Sequence, residues 1–143
     1  MSFNVLIVDD SSSMRAVIRK IISISGFKVG RCYEAANGRE ALDILLENWV
    51  DVIISDINMP GVSGLDMLDH LKADDLLKDI PVIVVSTEGS DERIRSVMSK
   101  GAKRFVRKPF LPEDIRKILY EVIGVDNEGR YCDVQETPDG GDF

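Results

Sequence analysis

The chain has 143 residues, of which 44% are hydrophobic and 30% are charged, and its formal net charge is −7. This composition is ordinary for a globular domain of common size that builds its own core. Six acidic residues and one arginine follow Gly124 and carry −5, which leaves −2 for residues 1–123. Neither part has the basic surplus of a nucleic-acid-binding protein, so we expect no nucleic-acid partner.

Membrane and secretory signals are missing from the sequence pattern. No apolar run approaches the roughly 20 residues that span a bilayer, and the first residues lack the pattern of a signal peptide. The two cysteines, Cys32 and Cys132, form neither a disulfide framework nor a zinc motif, which favours reduced thiols. We therefore expect a cytoplasmic protein without a membrane partner.

Five short apolar segments predict five β-strands. The first and third are continuous apolar runs that end in acidic residues, as buried strands of a parallel sheet do. The second contains Gly30 and is the least regular, which suits the edge of a sheet. The predicted strands cover residues 5–8, 28–34, 52–54, 82–85 and 104–107.

Each strand is followed by apolar residues at helical spacing. Ser11–Ser13 and Asn37 supply helix N-caps, and Gly26 and Gly101 are stop signals. Alternation of strand and helix predicts an α/β, doubly wound, five-stranded parallel sheet with helices on both faces. The inward helix residues are expected to include Met14, Val17, Ile18, Ile21, Ile22, Ala41, Leu42, Leu45, Leu65, Leu68, Leu71, Ile94, Val97, Met98, Leu111, Ile115, Ile118, Leu119 and Val122.

The helical periodicity stops after Gly124. We predict one domain over residues 1–123 and an acidic C-terminal tail over residues 124–143, disordered or loosely docked, in which 130–136 could pair as a strand. Outside the strand ends, His70 is predicted at the surface, and Trp49 is predicted to pack rather than to take part in chemistry.

Polar side chains follow four of the predicted strands at the point where each strand ends. The carboxyl ends of parallel strands meet at one edge of the sheet, which is where open α/β sheets bind ligands. We therefore expect residues far apart in sequence to converge there. They are Asp9 and Asp10 after the first strand, Asp56 after the third, Ser86 and Thr87 after the fourth, and Lys108 after the fifth.

Three carboxylates in one crevice repel one another, and a divalent cation relieves that repulsion. All the obvious ligands are oxygen donors, which fits Mg²⁺. With the metal bound, Asp56 can stay ionised and attack phosphorus to form an aspartyl phosphate. Lys108 would share the charge of the transferred group, and Ser86 could donate to one of its oxygens.

Each motif also has a simpler interpretation. Asp9 and Asp10 before serines could form a turn and a helix cap, Asp56 could be a loop acid, and a Lys-Pro pair is common. Because all four groups fall at one sheet edge, the phosphoryl-transfer interpretation is favoured.

Four motifs resemble those of the receiver domains of two-component response regulators, most closely the single-domain chemotaxis regulators. They are V-D-D-S-S-S-M-R at 8–15, I-S-D-I-N-M-P at 54–60, P-V-I-V-V-S-T-E at 81–88 and F-V-R-K-P-F at 105–110. The resemblance covers residues 4–123 and implies a flavodoxin-like sheet with strand order 2-1-3-4-5. One departure is extra length between Gly26 and Asn37, which we expect in the second strand or its loop.

The resemblance implies a role for each matched residue. Asp56 would be the phosphoacceptor. Asp10 and Asp56 would ligate Mg²⁺ together with the Asn58 backbone carbonyl, and Asp9 would act through water.

The same resemblance assigns the switch. Ser86, rather than the neighbouring Thr87, would be the switch hydroxyl, and Lys108 would be the family's lysine. Phe105 would be the switch aromatic, where chemotaxis proteins usually carry tyrosine. Asn58 and Glu88 would tune dephosphorylation and suggest that it is fast.

The sequence therefore predicts a phosphorelay switch with no enzyme activity beyond its own autophosphorylation and autodephosphorylation. Its expected partners are a histidine kinase docked near the first helix, a target protein on the face of the fourth helix, fifth strand and last helix, and a phosphatase.

Three alternatives stay open. A phosphatase or phosphomutase would usually carry a second Asp where Asn58 stands. A binding module that has lost phosphorylation is disfavoured by the intact acid, hydroxyl and lysine set. A receiver excised from a larger response regulator or hybrid kinase would make residues 124–143 the start of a linker.

Overall fold

A computed structural model describes residues 2–56, 64–86, 90–108 and 110–125 of the chain. These residues form five strands that alternate with five helices. The elements are β1 (Phe3–Val8), α1 (Ser12–Ser25), β2 (Val29–Ala35), α2 (Gly38–Glu47), β3 (Val52–Ser55), α3 (Gly64–Ala73), β4 (Val82–Ser86), α4 (Asp91–Ser99), β5 (Arg104–Arg107) and α5 (Pro112–Ile123).

The strands form one parallel sheet in the order β2-β1-β3-β4-β5. This confirms the predicted fold, including the position of the irregular β2 at an edge. The central strands β3 and β4 are buried along their whole length. Parallel strands need long crossovers, and the helices provide them.

Alternate strand residues face two separate cores. Leu6, Val8 and Ile53 point to the core covered by α2, α3 and α4. Val5 and Ile7 point to the opposite core, which α1 and α5 cover. The period of two along each strand explains why an unbroken apolar run is needed: both faces of the sheet are covered.

The predicted capping residues lie at the ends of the first two helices. The Ser11 hydroxyl accepts a hydrogen bond from the Met14 N–H at 3.1 Å, and the Asn37 side chain accepts one from the Glu40 N–H at 2.9 Å. Gly26 ends α1 with φ of 90°, a left-handed conformation that glycine adopts without a Cβ penalty. The cap on α1 matters for the site because Ser11 lies directly after Asp9 and Asp10.

The pairing of β2 with β1 contains one irregularity. Phe3 is paired with Val29 and Val5 with Cys32, so β2 contains one more residue than β1 over this interval. This β-bulge contains Gly30, at which an added Cβ would lie 2.6 Å from Asn4 Oδ1. The irregularity therefore lies in the edge strand, and the extra length expected from the resemblance stays a prediction.

Four predicted inward or packed residues are exposed. Leu111 is 58% exposed because it is the N-cap of α5 and precedes its first turn. Met98 is exposed because it follows the buried Val97 by about 100° around α4, and Val17 on α1 is 49% exposed. Trp49 is 76% exposed because it lies beyond the end of α2, where its ring N–H donates to Asp51 Oδ1 at 3.1 Å.

Candidate functional site

Three carboxylates meet at the carboxyl edge of the sheet. The Asp9 N–H donates to the Ala35 carbonyl at 3.0 Å, and the Asp56 N–H donates to the Val8 carbonyl at 2.9 Å, so strand pairing fixes both backbones. Asp9, Asp10 and Asp56 each offer a carboxylate oxygen, and these oxygens lie within 4.8 Å of one another. The predicted convergence of these three residues is what the structure shows.

Asp9 is the buried member of the group, with 2% of its surface exposed. Its Oδ1 accepts a hydrogen bond from the Ser11 N–H at 2.9 Å, and its Oδ2 lies 3.5 Å from Lys108 Nζ. A buried carboxylate needs such partners to offset the loss of water. Asp10 is exposed and Asp56 half-buried, so the group opens to solvent on their side.

Ser86 and Lys108 lie at the carboxyl ends of β4 and β5, on the other side of β3 from Asp9 and Asp10. Ser86 is the last residue of β4 and is buried. The Lys108 N–H donates to the Ser86 carbonyl at 2.9 Å, so hydrogen bonding to the end of β4 fixes the residue after β5. The Lys108 side chain, only 12% exposed, reaches the acidic group through its contact with Asp9.

The acidic group fits a hard dication. Three carboxylates and one ammonium leave a formal charge of −2, and all the ligand atoms are oxygens. Mg²⁺ holds oxygen ligands at about 2.1 Å, so two ligands of one ion lie at most about 4.2 Å apart. Oxygens within 4.8 Å of one another need only small side-chain rotations, or one bridging water, to share an ion.

Some predicted site residues lie outside the described part of the chain. These are Asn58, Thr87 and Glu88, so the roles assigned to them stay predictions. Phe105 is on β5, half-buried and packed against the core under α2, α3 and α4. His70 is exposed on α3, as predicted.

Two residues next to the site escaped sequence reasoning. Arg15 Nη1 donates to the Asp9 backbone carbonyl at 2.6 Å, and Arg15 Nε donates to Glu34 Oε1 at 3.0 Å. A basic residue in the first turns of a helix and an acid in an edge strand are both common at surfaces, so neither pattern indicates a contact. They meet because α1 packs beside β2, which pairs with β1.

Comparison with known proteins identifies the family. The sequence model of the family described as response regulator receiver domain matches residues 5–120. The chain belongs to the response regulator receiver domain family. As a receiver domain it is a phosphorelay signalling module, which confirms the assignment made from the four sequence motifs.

The similar proteins include chemotaxis regulators. Chemotaxis protein CheY1 of Helicobacter pylori is 36% identical over 123 residues, which are 85% of this chain and 98% of the relative. The structure of the chemotaxis response regulator CheY4 of Vibrio cholerae has a TM-score of 0.75 at 34% identity, covering 85% of this chain and 99% of that one.

A further neighbour comes from a different context. It is the signal receiver domain of a signal transduction histidine kinase from Syntrophus aciditrophicus, with a TM-score of 0.75 at 27% identity, covering 85% and 90% of the two chains. In the described ranges of the present receiver, no helix combines the length and apolarity needed to cross a membrane.

Proposed function

We propose that Asp56 accepts a phosphoryl group from the phosphohistidine of a histidine kinase and that this modification controls the binding of a target protein. The observation that carries the proposal is the convergence of Asp9, Asp10 and Asp56 within 4.8 Å, with Lys108 held against Asp9. An anionic acceptor, a dication site and a fixed ammonium are the parts that phosphoryl transfer to a carboxylate requires.

In the transfer step, an Asp56 carboxylate oxygen forms a bond to phosphorus as the bond from phosphorus to the donor histidine nitrogen breaks. The nitrogen keeps the electron pair, and the histidine returns to its unphosphorylated form. Asp10 and Asp56 would hold Mg²⁺ together with the Asn58 carbonyl, and Asp9 would act through water. The positive charge supplied there would neutralise charge on the transferred group. The Lys108 ammonium, already at the site, supplies further positive charge.

The phosphorylated state would be read through Ser86 and Phe105. The buried Ser86 hydroxyl stands at the end of the strand next to the Asp56 strand, within the same sheet edge. Donation of a hydrogen bond to a phosphoryl oxygen would draw the end of β4 toward Asp56. Phe105 has no hydroxyl, so it would report this shift through a change in packing alone.

Two grooves suit the expected partners. A mainly apolar groove of about 120 Å³ lies between α1 and Phe110, beside Lys108, and is lined by Met14, Val17 and Ile21. It borders the site that the kinase histidine must reach, so we propose it as part of the kinase-docking surface. The groove between β5 and α5, about 370 Å³, includes Phe105 and is proposed as part of the target-binding face with α4.

Loss of the phosphoryl group would restore the starting state. Water would attack phosphorus as the bond from phosphorus to the Asp56 oxygen breaks, which releases inorganic phosphate and restores the Asp56 carboxylate. Asn58 and Glu88 would tune the rate, and a phosphatase could assist. The domain would therefore catalyse only its own phosphorylation and dephosphorylation. Asn58 stands where a phosphatase or phosphomutase would usually carry a general acid, and its amide does not transfer a proton.

The surroundings of the domain are part of the proposal. We propose a cytoplasmic receiver over residues 1–123 with an acidic tail over 124–143. The neighbour from a histidine kinase favours one further candidate, a receiver module within a larger response regulator or hybrid kinase.

The proposal is tested by incubation with acetyl phosphate and MgCl₂, followed by intact mass measurement. One added phosphoryl group is expected on the wild type and on Asp43→Asn, an exposed α2 control. None is expected on Asp56→Asn, or on the wild type in EDTA. Equal labelling of Asp56→Asn would overturn the assignment of the acceptor, and labelling in EDTA would overturn the role of the metal.

A further inference from the structure

We infer that Arg15, held by Glu34, is a positioning residue that sets the direction of the Asp10 carboxylate toward the metal site. The inference rests on the proposed function only in taking the three carboxylates as a divalent-cation site. It assigns a role to a link between α1, β2 and the loop of Asp9 and Asp10.

The Arg15 guanidinium donates hydrogen bonds to two partners in different parts of the fold. Arg15 Nη1 donates to the Asp9 carbonyl at 2.6 Å, while Nε of the same guanidinium donates to Glu34 Oε1 at 3.0 Å. The second Glu34 oxygen accepts from Arg19 Nη1 at 2.6 Å. Arg15 is only 16% exposed, so its hydrogen bonds compete little with water.

The carbonyl that Arg15 holds belongs to the peptide group between Asp9 and Asp10. A peptide group is planar, so fixing its oxygen also fixes the direction of the Asp10 N–H and limits the Asp10 backbone. The other side of Asp9 is already fixed, because its N–H donates to the Ala35 carbonyl and its Oδ1 accepts from the Ser11 N–H. Arg15 therefore completes the constraint on the loop that presents Asp10.

Glu34 keeps Arg15 in place from the sheet. It pairs with Ile7 in the register of β1 and β2, two residues before Asp9, and so it is tied to the strand that ends at the site. Arg19 shares Glu34 with Arg15, but its second hydrogen bond goes to the Cys32 carbonyl at 3.3 Å rather than to the loop of Asp9 and Asp10. Arg19 is thus a matched control for the loss of one positive charge near Glu34.

If Arg15 is replaced by a neutral residue, a positioning role and simple electrostatics predict changes of opposite sign in the affinity for Mg²⁺. Removing a positive charge near three carboxylates makes the site more negative and, by charge alone, strengthens cation binding. Removing the hydrogen bond that orients Asp10 weakens cation binding, and loss of such outer partners typically costs 10–100-fold in metal affinity. Because Arg15 acts through the backbone, we expect a change near the lower limit, roughly tenfold.

The test is a titration of the full chain with MgCl₂, in which binding is monitored by the amide chemical shifts. Arg15→Gln and Arg15→Lys are each expected to raise the Mg²⁺ dissociation constant about tenfold. Lysine keeps the charge, but its single ammonium does not reproduce the planar fork of a guanidinium. Arg19→Gln is expected to bind Mg²⁺ as tightly as the wild type, or more tightly.

A second readout needs no metal. The Ser11 N–H donates to Asp9 Oδ1, and its hydrogen exchange in EDTA is expected to be faster in both Arg15 variants than in Arg19→Gln, because the loop that Arg15 holds opens more often. A purely stabilising role would lower the melting temperature without changing the Mg²⁺ dissociation constant.

The outcomes separate this inference from the proposed function. Saturable Mg²⁺ binding to the wild type with equal or tighter binding to either Arg15 variant would overturn the positioning role alone. Absence of Mg²⁺ binding to the wild type would overturn both. If Arg15→Gln does not fold, Arg15→Lys decides, because positioning predicts weaker Mg²⁺ binding to this variant, whereas charge alone predicts no change.

Discussion

Replacing Asp10 by asparagine should stabilise the metal-free protein and remove its response to Mg²⁺. The change deletes one of three negative charges whose oxygens lie within 4.8 Å of one another, while the side chain keeps nearly the same size. At 4.8 Å, each repulsion amounts to about 0.9 kcal/mol in water and about 3.5 kcal/mol near a protein surface. Asp10 is exposed, so the lower value applies, and two repulsions are relieved.

One effect opposes this gain. Asp10 lies directly before the N-cap of α1, where a negative charge is stabilised by about 0.3–1 kcal/mol. The net result is a stabilisation of roughly 1 kcal/mol, because the two repulsions together outweigh the attraction to the helix N-terminus. For a domain of this size, that corresponds to an increase in melting temperature of roughly 3–6 °C in EDTA.

The assay is thermal unfolding followed by circular dichroism, with and without MgCl₂. Mg²⁺ should raise the melting temperature of the wild type in a concentration-dependent way and change that of Asp10→Asn little. Asp43→Asn, which alters an exposed pair at 3.8 Å on α2, is the control and should behave like the wild type. A melting temperature of Asp10→Asn in EDTA equal to or below that of the control would refute the repulsion argument.

Two further predictions concern β2. Gly30→Ala should lower the stability toward urea by roughly 1–3 kcal/mol, because the new Cβ would lie 2.6 Å from Asn4 Oδ1. The Asn4 side chain cannot easily move away, since it donates to the Trp49 carbonyl and accepts from the Arg31 N–H. An unchanged unfolding midpoint would show that Asn4 moves freely. Burial raises the pKa of the Cys32 thiol, and the nearby Arg19 lowers it. In a Cys132→Ser background, alkylation of Cys32 should therefore begin at higher pH in the folded protein than in urea. In folded Arg19→Gln it should begin at still higher pH. Coincident pH profiles for folded and unfolded protein would contradict the burial effect.

The strands and their order could be predicted because a two-sided parallel sheet imposes a strong pattern. Val52–Ser55 is buried on both faces, and a run of such residues next to an acid is hard to produce in another context. The convergence of Asp9, Asp10 and Asp56 followed from the same rule, because parallel strands end at one edge.

Side-chain exposure was harder to predict. Met98 and Leu111 fit helical spacing, yet a stripe of apolar residues does not show where its border falls or where the helix begins. Trp49 was expected to pack, but a large aromatic residue just beyond a helix end has no periodicity that places it.

Contacts between distant polar side chains lay beyond sequence reasoning. The reach of Lys108 to Asp9 could be expected in general but not assigned to that carboxylate, since three were available. The link from Arg15 to Glu34 depends on the register of β1 and β2, which the bulge at Gly30 shifts by one residue. A one-residue change in register alters which side chains are neighbours.

The central claim is that Asp56 carries the phosphoryl group, and the most direct measurement locates the modification chemically. After incubation with acetyl phosphate and MgCl₂, borohydride reduces an aspartyl phosphate to homoserine, which peptide mass spectrometry then places in the sequence. Our account expects homoserine at position 56 in the Mg²⁺ sample and none in the EDTA sample. Homoserine at another acidic residue, with position 56 unchanged, would contradict it.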